Sequence, residues 1–326
     1  MNDSHWKQRP EGGSRFAFHL IRFIASNGGR SIARLTLYPI VTYFLIVRGP
    51  ERRASRAYLA RVLDRPPTLL DVARHIHTFA ATILDRVYML SRGMDRFKVN
   101  ISGLEPIDRQ LDRGQGMLLF GSHLGSFEAL RVLARQRPDL KVRVVLDRAH
   151  NPQLTQLLDA MDPQIARNVI DAGQDGPSIV FAIKQATDEG ALVALLVDRA
   201  APGEPSTSAS FLGASAQFPT APWLIAAALK LPVVLGFGLY RGGSHYDLVF
   251  ETFSEGVAIE RHNRPAILAA LVQRYAERLQ AHARSAPYNW FNFYDFWHAD
   301  DPQQALPDAG VGADVQRRVA ARRSGY

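Results

Sequence analysis

His123 and Glu128, a histidine and a glutamate with four residues between them, are the side chains of this sequence best suited to general-base chemistry. An imidazole takes up a proton near neutral pH, and a nearby carboxylate can fix its tautomer and stabilise the imidazolium that forms. On one continuous helix, residues five apart point about 140° away from each other, so these side chains meet only if the chain bends between them. Gly125 permits that bend, because glycine adopts backbone conformations that other residues avoid.

The elements around the pair favour a site over an incidental placement. Apolar residues 117–120 predict a buried strand, which would deliver His123 to the carboxyl edge of a sheet, where open α/β folds bind ligands. Ser126 is suited to cap a helix over residues 127–133, whose dipole would favour ionised Glu128 in its first turn. Outside such a strand–turn–helix context, the simpler interpretation is a surface loop that happens to contain a histidine and a glutamate.

The segments from residue 97 onward alternate between β-rich and helical patterns. Strands are expected at 117–120, 142–146, 191–197, 233–239 and 246–250, and helices at 153–161, 178–187, 221–229 and 265–283. This alternation predicts an α/β fold with a mixed, largely parallel sheet covered by helices. The expected organisation is a flexible terminus (1–15), a helical membrane-associating region (16–92), an α/β domain (93–299) and a disordered tail (300–326).

Composition excludes several kinds of site. The 326 residues contain no cysteine, which excludes a thiol nucleophile, a thiolate metal site and a disulfide framework. The net charge of +8 suits an anionic membrane, an acidic carrier protein or nucleic acid, and the lack of a nucleic-acid-binding motif favours the first two. No nucleophile elbow, Walker A loop, His-Glu-x-x-His or Gly-x-Gly-x-x-Gly occurs, which leaves base-catalysed transfer with neither a nucleophile nor a cofactor as the simplest chemistry.

Two apolar segments near the amino terminus, 16–24 and 35–47, precede an arginine-rich segment at 48–56. The second is uncharged but shorter than the roughly 20 residues that cross a bilayer. Two short apolar helices with arginines at their edges fit a monotopic element on the cytoplasmic leaflet, and a buried helical hairpin is the alternative. Further along, His75 and His77 are interpreted as packing or surface residues, since neighbours two apart on a helix face different ways.

Asp-Arg pairs follow two of the expected strands, as Asp147-Arg148 and Asp198-Arg199. If these strands neighbour the one that delivers His123, the side chains converge on one cleft. An arginine there would stabilise an oxyanion or hold a phosphate, whereas salt bridges closing the rim of the sheet are the structural alternative.

Two further segments have both a structural and a functional interpretation. Thr220 either caps the helix at 221–229, whose first N–H groups would face an anion, or lies in an ordinary helix-entry turn. The aromatic segment 287–297 either packs a core or forms a wall along an acyl chain.

The sequence Gly121-Ser122-His123-Leu124-Gly125-Ser126-Phe127-Glu128 resembles the His-x4-Asp/Glu block of the lysophospholipid acyltransferase superfamily. Its His-x-Gly-x-x-Glu form is similar to the bacterial lipid A late-acyltransferase (lauroyl/myristoyl transferase) branch. Residues 148–152 resemble the second block of that branch, and Asp198-Arg199 its next acid. Segment 287–297 is similar to predicted acyltransferases associated with aryl polyene or xanthomonadin-type pigment lipids. The resemblance covers roughly residues 15–298.

The resemblance implies a glycerolipid acyltransferase-like fold and transfer of an acyl group from acyl carrier protein, or acyl-CoA, to a lipid hydroxyl or amine at the cytoplasmic face of the inner membrane. It implies that His123 is the general base and that Glu128 orients it, with no covalent intermediate, metal or cofactor. The residues expected to bind substrate or stabilise the oxyanion are Arg148, Asn151, Asp198, Arg199 and Thr220.

Three functions are therefore compared. The first is an acyltransferase of pigment-lipid, glycolipid or aminolipid biosynthesis, and the second is a secondary acyltransferase of lipid A. The third is a catalytically idle membrane-surface protein that binds a lipid or a carrier protein.

Overall fold

The structure is a computed structural model that describes residues 29–92, 94–130, 137, 139–147, 168–200 and 203–297. Arg148 and Asn151, the helix expected at 153–161, the apolar segment 16–24, and the expected flexible terminus and tail lie outside the described residues.

The described helices and strands alternate from residue 98 onward, after a wholly helical first part. The helices are α1 (Gly29–Leu35), α2 (Leu37–Val47), α3 (Gly49–Val62), α4 (Leu69–Arg92), α5 (Glu105–Asp112), α6 (Gly176–Asp188), α7 (Ala221–Leu229) and α8 (Arg264–Ser285). The strands are β1 (Lys98–Ser102), β2 (Met117–Gly121), β3 (Val142–Leu146), β4 (Val169–Asp171), β5 (Leu192–Leu196), β6 (Ser206–Phe211), β7 (Ala214–Pro219), β8 (Val233–Gly242) and β9 (His245–Ser254).

Seven of the described strands form one sheet in the order β1-β9-β8-β2-β5-β3-β4. Its neighbouring strands are parallel except for the β8–β9 hairpin. The expected mixed, largely parallel α/β sheet is therefore confirmed. Strands β6 and β7 pair separately as an antiparallel hairpin that lies against α8. The sequence did not predict this hairpin or the short strands β1 and β4, since small and polar residues dominate β6 and β7.

The sheet separates two apolar cores. Side chains alternate along a strand, so Leu118 and Phe120 of β2 lie in one core, with Trp223 and the buried side of α8, while Met117 and Leu119 lie in the other, beside α4. Every residue of β2 is buried, as expected for a central strand covered on both faces. This packing holds the carboxyl end of β2 rigidly in the middle of the sheet.

Helices α1 and α2 expose many apolar side chains, while Ala33, Leu37 and Val41 are buried against the core. Together they form a run, Gly29–Val47, of 19 residues with mean hydropathy 1.2, which is enough by length and composition to cross a membrane. Of its most apolar 18-residue window, 17% is buried. This run begins at Gly29, before the apolar segment 35–47, which by itself is shorter than the roughly 20 residues that cross a bilayer. Leu35 is 65% exposed and Ile46 73%, so the buried hairpin alternative does not hold for these residues.

One attachment of α1 is an ion pair with α4. Arg30 donates from Nε and Nη2 to the two carboxylate oxygens of Asp85, each at 2.8 Å. Asp85 is fully buried and also accepts a hydrogen bond of 2.9 Å from the hydroxyl of Tyr246 on β9. Removing one partner of such a buried pair leaves an uncompensated charge, which destabilises strongly, so α1 is held firmly against α4 and β9.

Candidate active site

The parallel register of β2 and β5 brings His123 and Asp198 together. Gly121, the last residue of β2, is in register with Leu196, the last residue of β5. His123 and Asp198 each follow two residues later, so they leave the same edge of the sheet side by side. The sequence predicts that Asp198 and Arg199 lie close to His123. The register of β2 and β5 brings Asp198 beside it.

Two hydrogen bonds join His123 to Asp198. The Nδ1 atom of the ring lies 2.8 Å from Oδ1 of the carboxylate, and the backbone N–H of His123 donates to Oδ2 at 3.0 Å. The carboxylate is fully buried, whereas the histidine side chain is 33% exposed. Although burial raises the pKa of this carboxyl, its ring partner, Arg199 and the indole of Trp290 together hold that pKa well below its usual range. An ionised carboxylate accepts only, so Nδ1 carries the proton and Nε2 is left with its lone pair free to act as a base.

Partial loss of hydration is the largest cause that lowers the pKa of His123 below its ordinary value. The positive charge of Arg199 lowers this pKa further and that of Arg86 adds a smaller effect, while Asp198 acts in the opposite direction. The ring is therefore neutral near pH 7, which is the form that a general base requires.

Glu128 does not make the contact with His123 that sequence analysis expected. Its Oε1 lies 2.7 Å from Nε of Arg86 on α4, and its Oε2 accepts a bond of 3.4 Å from the hydroxyl of Ser126. The reason is the direction of the bend: after His123 the chain turns towards β8, whereas Asp198 comes from β5 on the opposite side of β2. The carboxylate that contacts the imidazole is thus that of Asp198, and Glu128 faces Arg86 instead.

The expected bend at Gly125 is present and requires glycine. Its φ is +76°, and a Cβ added there would lie 1.9 Å from the carbonyl oxygen of Gly238 on β8. The backbone N–H of Ser126 donates to that same oxygen at 2.7 Å. The bend therefore attaches the loop to the sheet. Beyond it, Phe127–Leu130 form a 3-10 helix, and residues 131–133 of the helix expected over 127–133 lie outside the described residues.

The segment 289–292 lies across the loop that carries His123. The N–H of Phe291 donates to the carbonyl of His123 at 2.9 Å, and the N–H of Gly125 donates to the carbonyl of Asn289 at 2.8 Å. Between these two bonds, the indole Nε1–H of Trp290 donates to Oδ2 of Asp198 at 3.0 Å. Trp290 is fully buried, so this aromatic segment packs the core and also supports the histidine–aspartate pair.

The remaining expected site residues have different placements. Arg199 donates to the carbonyl of Phe291 and lies over the ring of Tyr294, with its Nε buried and unpaired among the described residues. Thr220 precedes α7, but its hydroxyl donates to the carbonyl of Pro205 at 3.1 Å and makes no cap for the helix. Thr220 therefore joins α7 to the start of the β6–β7 hairpin, as in the helix-entry alternative. Arg148 and Asn151 lie outside the described residues.

Sequence reasoning missed two residues of the site, Trp290 and Arg86. A buried indole needs an acceptor for its N–H, so the aromatic segment could have been matched with the buried acid that follows β5. Arg86 lies on the amphipathic helix α4 between the buried residues Asp85 and Val87, and a partly buried arginine in such a position calls for an anionic partner.

A family model described as "Bacterial lipid A biosynthesis acyltransferase" matches residues 72–298, which is more than half of the chain. No curated protein matches the chain.

Proposed function

The chain belongs to the bacterial lipid A biosynthesis acyltransferase family, and from that premise we propose that it transfers an acyl group from a thioester donor to a hydroxyl or amine of a lipid, with His123 as the general base. The family implies acyltransferase activity, an acyl donor and a lipid acceptor in membrane-associated lipid biosynthesis. The observation that carries the assignment of the base is the pair formed by His123 and the fully buried Asp198, which leaves Nε2 as the free basic atom.

In the proposed reaction, Nε2 of His123 removes the proton of the acceptor hydroxyl or amine as that atom attacks the thioester carbonyl. The carbonyl electron pair moves to oxygen and forms a tetrahedral oxyanion. When the oxyanion collapses, the carbon–sulfur bond breaks, and the imidazolium returns its proton to the departing thiolate. The ester or amide and a free thiol are the products. A positioned base contributes about 10²–10⁴-fold to such a rate.

Arginines are proposed to stabilise the oxyanion. The positive charges of Arg199 and Arg86 both lower the pKa of His123, which supports a role for them near the reacting ring. The ion pair with Glu128 would then hold Arg86 in place, so Glu128 serves the reaction through this arginine. Arg148 is retained as a further donor from the sequence resemblance. Each such donor contributes about 10²–10³-fold.

The proposed donor is acyl carrier protein, with acyl-CoA as the alternative, and the proposed location is the cytoplasmic face of the inner membrane. Exposed apolar residues of α1 and α2, including Ile32, Leu35 and Ile46, support contact with a bilayer. The exposed arginines Arg53 and Arg56 on the next helix, together with the net charge of +8, support attraction to anionic lipid and to an acidic carrier.

The acceptor is proposed to be a lipid of pigment-lipid (aryl polyene-type) or glycolipid biosynthesis, on the resemblance of residues 287–297. The family model favours lipid A as a second candidate. A lipid profile of a deletion strain separates them: underacylated lipid A supports the second, and normal lipid A with a missing pigment ester supports the first.

Acyl transfer in vitro tests the activity itself. Wild-type protein, the His123→Ala variant and a His262→Ala control are incubated with labelled acyl carrier protein or acyl-CoA and total bacterial lipids, and products are identified by mass spectrometry. His262 is a suitable control because its side chain is 81% exposed on the surface. Wild type and control should form the same acylated lipid and His123→Ala none. Normal transfer by folded His123→Ala rules out the assignment of the base, and no transfer by any form with either donor favours a non-catalytic binding protein.

A further inference from the structure

A second histidine, His75 on α4, lies behind the site and is not used by the proposed reaction. It is fully buried, and sequence analysis interpreted it as a packing or surface residue. Its Nδ1 lies 2.8 Å from the hydroxyl oxygen of Ser55 on α3, and its Nε2 lies 2.9 Å from the carbonyl oxygen of Trp290. The ring is stacked on Phe293 with centroids 4.8 Å apart.

The protons of this chain of hydrogen bonds have one consistent arrangement. A carbonyl oxygen only accepts, so Nε2 of His75 carries the proton and donates to Trp290. In a neutral ring Nδ1 must then accept, so the hydroxyl of Ser55 donates to it. Burial lowers the pKa of His75 to about 4, which keeps the ring neutral at physiological pH. Both polar atoms of the ring are thus occupied, as burial requires.

Trp290 links this chain to the reacting histidine. Its carbonyl accepts from His75 and from the backbone N–H of Asn292, each at 2.9 Å, and its indole N–H donates to Oδ2 of Asp198 at 3.0 Å. Its backbone also pairs with Leu124, the residue after His123. A shift of Trp290 would therefore remove one donor from the carboxylate and move the loop that carries the base.

We propose that His75, oriented by Ser55, is a positioning residue for acyl transfer: it fixes Trp290, and Trp290 fixes the carboxylate of Asp198 and hence the proton arrangement of His123. The inference rests on the proposed role of His123 as base. Its effect is on geometry, since His75 touches neither His123 nor Asp198 among the contacts described. A displacement of about 1 Å at a reacting group can reduce a rate by as much as about 100-fold.

Two variants separate positioning from packing. In His75→Phe the ring volume and the stacking on Phe293 are kept, but both hydrogen bonds are lost. In His75→Gln the side-chain amide can again donate to the carbonyl of Trp290, so it should restore much of what His75→Phe loses. His282→Phe is the matched control, because His282 is another largely buried histidine with a polar partner, at 2.8 Å from Glu251, and lies on α8.

The first measurement is the steady-state rate. His75→Phe should lower kcat by about 10- to 100-fold with little change in the KM for the donor, and His75→Gln should recover most of the loss. His282→Phe should keep the wild-type kcat per folded molecule. A folded His75→Phe with wild-type kcat overturns the proposal, and so does a loss that His75→Gln does not recover.

The second measurement is the pKa of His123, followed by NMR of the histidine rings in detergent-solubilised protein without substrate. If Trp290 no longer donates to Asp198, the carboxylate attracts the imidazolium more strongly, so the pKa of His123 should rise in His75→Phe and stay unchanged in His282→Phe. An unchanged pKa in His75→Phe overturns the inference. The pKa measurement needs no turnover, so it tests the positioning role of His75 independently of the proposed function. The proposed function is tested by His123→Ala, and normal acyl transfer by that variant would contradict it.

If His75→Phe does not fold, Ser55→Ala takes its place. That change removes only the donor to Nδ1 of His75, and a smaller change of kcat and pKa in the same directions is expected. Wild-type values of both in Ser55→Ala then count against the proposal.

Discussion

Trp290 and the backbone of His123 donate to the same oxygen atom of Asp198. The indole Nε1–H and the backbone N–H each lie 3.0 Å from Oδ2, while Oδ1 faces Nδ1 of the imidazole at 2.8 Å. Each oxygen of this fully buried carboxylate therefore has a donor. The two donors to Oδ2 leave Oδ1 as the oxygen that faces the ring. A buried charge is tolerated when its hydrogen bonds are satisfied, and here the same bonds also orient the carboxylate towards the imidazole of His123.

Asp198→Asn should reduce kcat by about 10⁴-fold with little loss of fold. The amide oxygen would still accept from the indole and the backbone, which turns the NH2 group towards Nδ1. The imidazole would then have to accept at Nδ1 and carry its proton on Nε2, which is the wrong tautomer for a base. Steady-state kinetics with circular dichroism measure both effects. Asp188→Asn, at a carboxylate that is 62% exposed, is the control and should behave as wild type. A fall smaller than tenfold in Asp198→Asn contradicts the tautomer argument.

The rate should rise with pH through an apparent pKa below 6.5 and then level off. Loss of hydration and the charge of Arg199 lower the pKa of His123, so the protonated, inactive form predominates only at lower pH than for a free histidine. Measurement of kcat/KM between about pH 4.5 and 8 shows this limb directly. Arg199→Gln removes a positive charge and should move the limb to higher pH. A limb centred above pH 7 in the wild type disagrees with this electrostatic description.

Glu128 and Arg86 should behave as one unit. Oε1 of Glu128 lies 2.7 Å from Nε of Arg86. Arg86→Gln and Glu128→Gln should therefore each lower kcat by a similar factor of about 10²–10³, because each would remove or displace one oxyanion donor. The double variant should then be little worse than either single variant, because the second change removes a partner that is already displaced. Losses that multiply in the double variant would show that the two residues act independently.

Gly125→Ala should abolish activity and lower stability more than a matched change elsewhere. Gly213 in the β6–β7 hairpin has a similar φ of +79° but open space where a Cβ would lie, whereas at Gly125 that atom would meet the carbonyl of Gly238. Strain from positive φ alone costs about 1–3 kcal/mol and should be common to both variants. The difference between the unfolding free energies of Gly125→Ala and Gly213→Ala, measured in denaturant, therefore reports the clash alone. Equal losses of stability would show that the close approach to β8 is unimportant.

Burial of neutral His75 should make the protein less stable as the pH falls from about 6.5 to 4. The unfolded chain binds the proton with the ordinary pKa of 6.5, while in the folded protein the pKa is about 4, so acid favours the unfolded state throughout that window. The loss from this residue is about 3 kcal/mol below pH 4, and no loss is expected above pH 6.5. Unfolding free energies of wild type and His75→Phe, compared at several pH values, should show a smaller pH dependence in the variant. If the unfolding free energies of the two proteins depend on pH in the same way, the lowered pKa of His75 is contradicted.

The local sequence pattern was sufficient to predict several strands and helices, but not the contact between Asp198 and His123. Residues 142–146 form β3 as expected, because β-branched valines dominate them, and residues 221–229 form α7 as expected, because they are a continuous apolar run. Sequence analysis named Asp198 only as a residue lining the site. Its contact with His123 depends on the register between strands 75 residues apart, which no local pattern encodes.

The bend at Gly125 shows the same limit. A glycine at this position indicated a turn, yet the direction of the turn depends on β8, which supplies Gly238 as the surface for close approach. Nearness in sequence and the family resemblance both pair Glu128 with His123, whereas the turn brings Glu128 to Arg86. The small, polar residues of the β6–β7 hairpin gave no signal of a strand at all.

Consecutive residues of α4 face two different parts of the protein. Asp85 holds Arg30 of the exposed apolar helix α1, and Arg86 holds Glu128 beside the reacting histidine. A tilt of α1 at a bilayer surface would therefore reach the active site through a single turn of helix. The exposed apolar helix α1 and the surroundings of His123 therefore share one support, a single turn of α4.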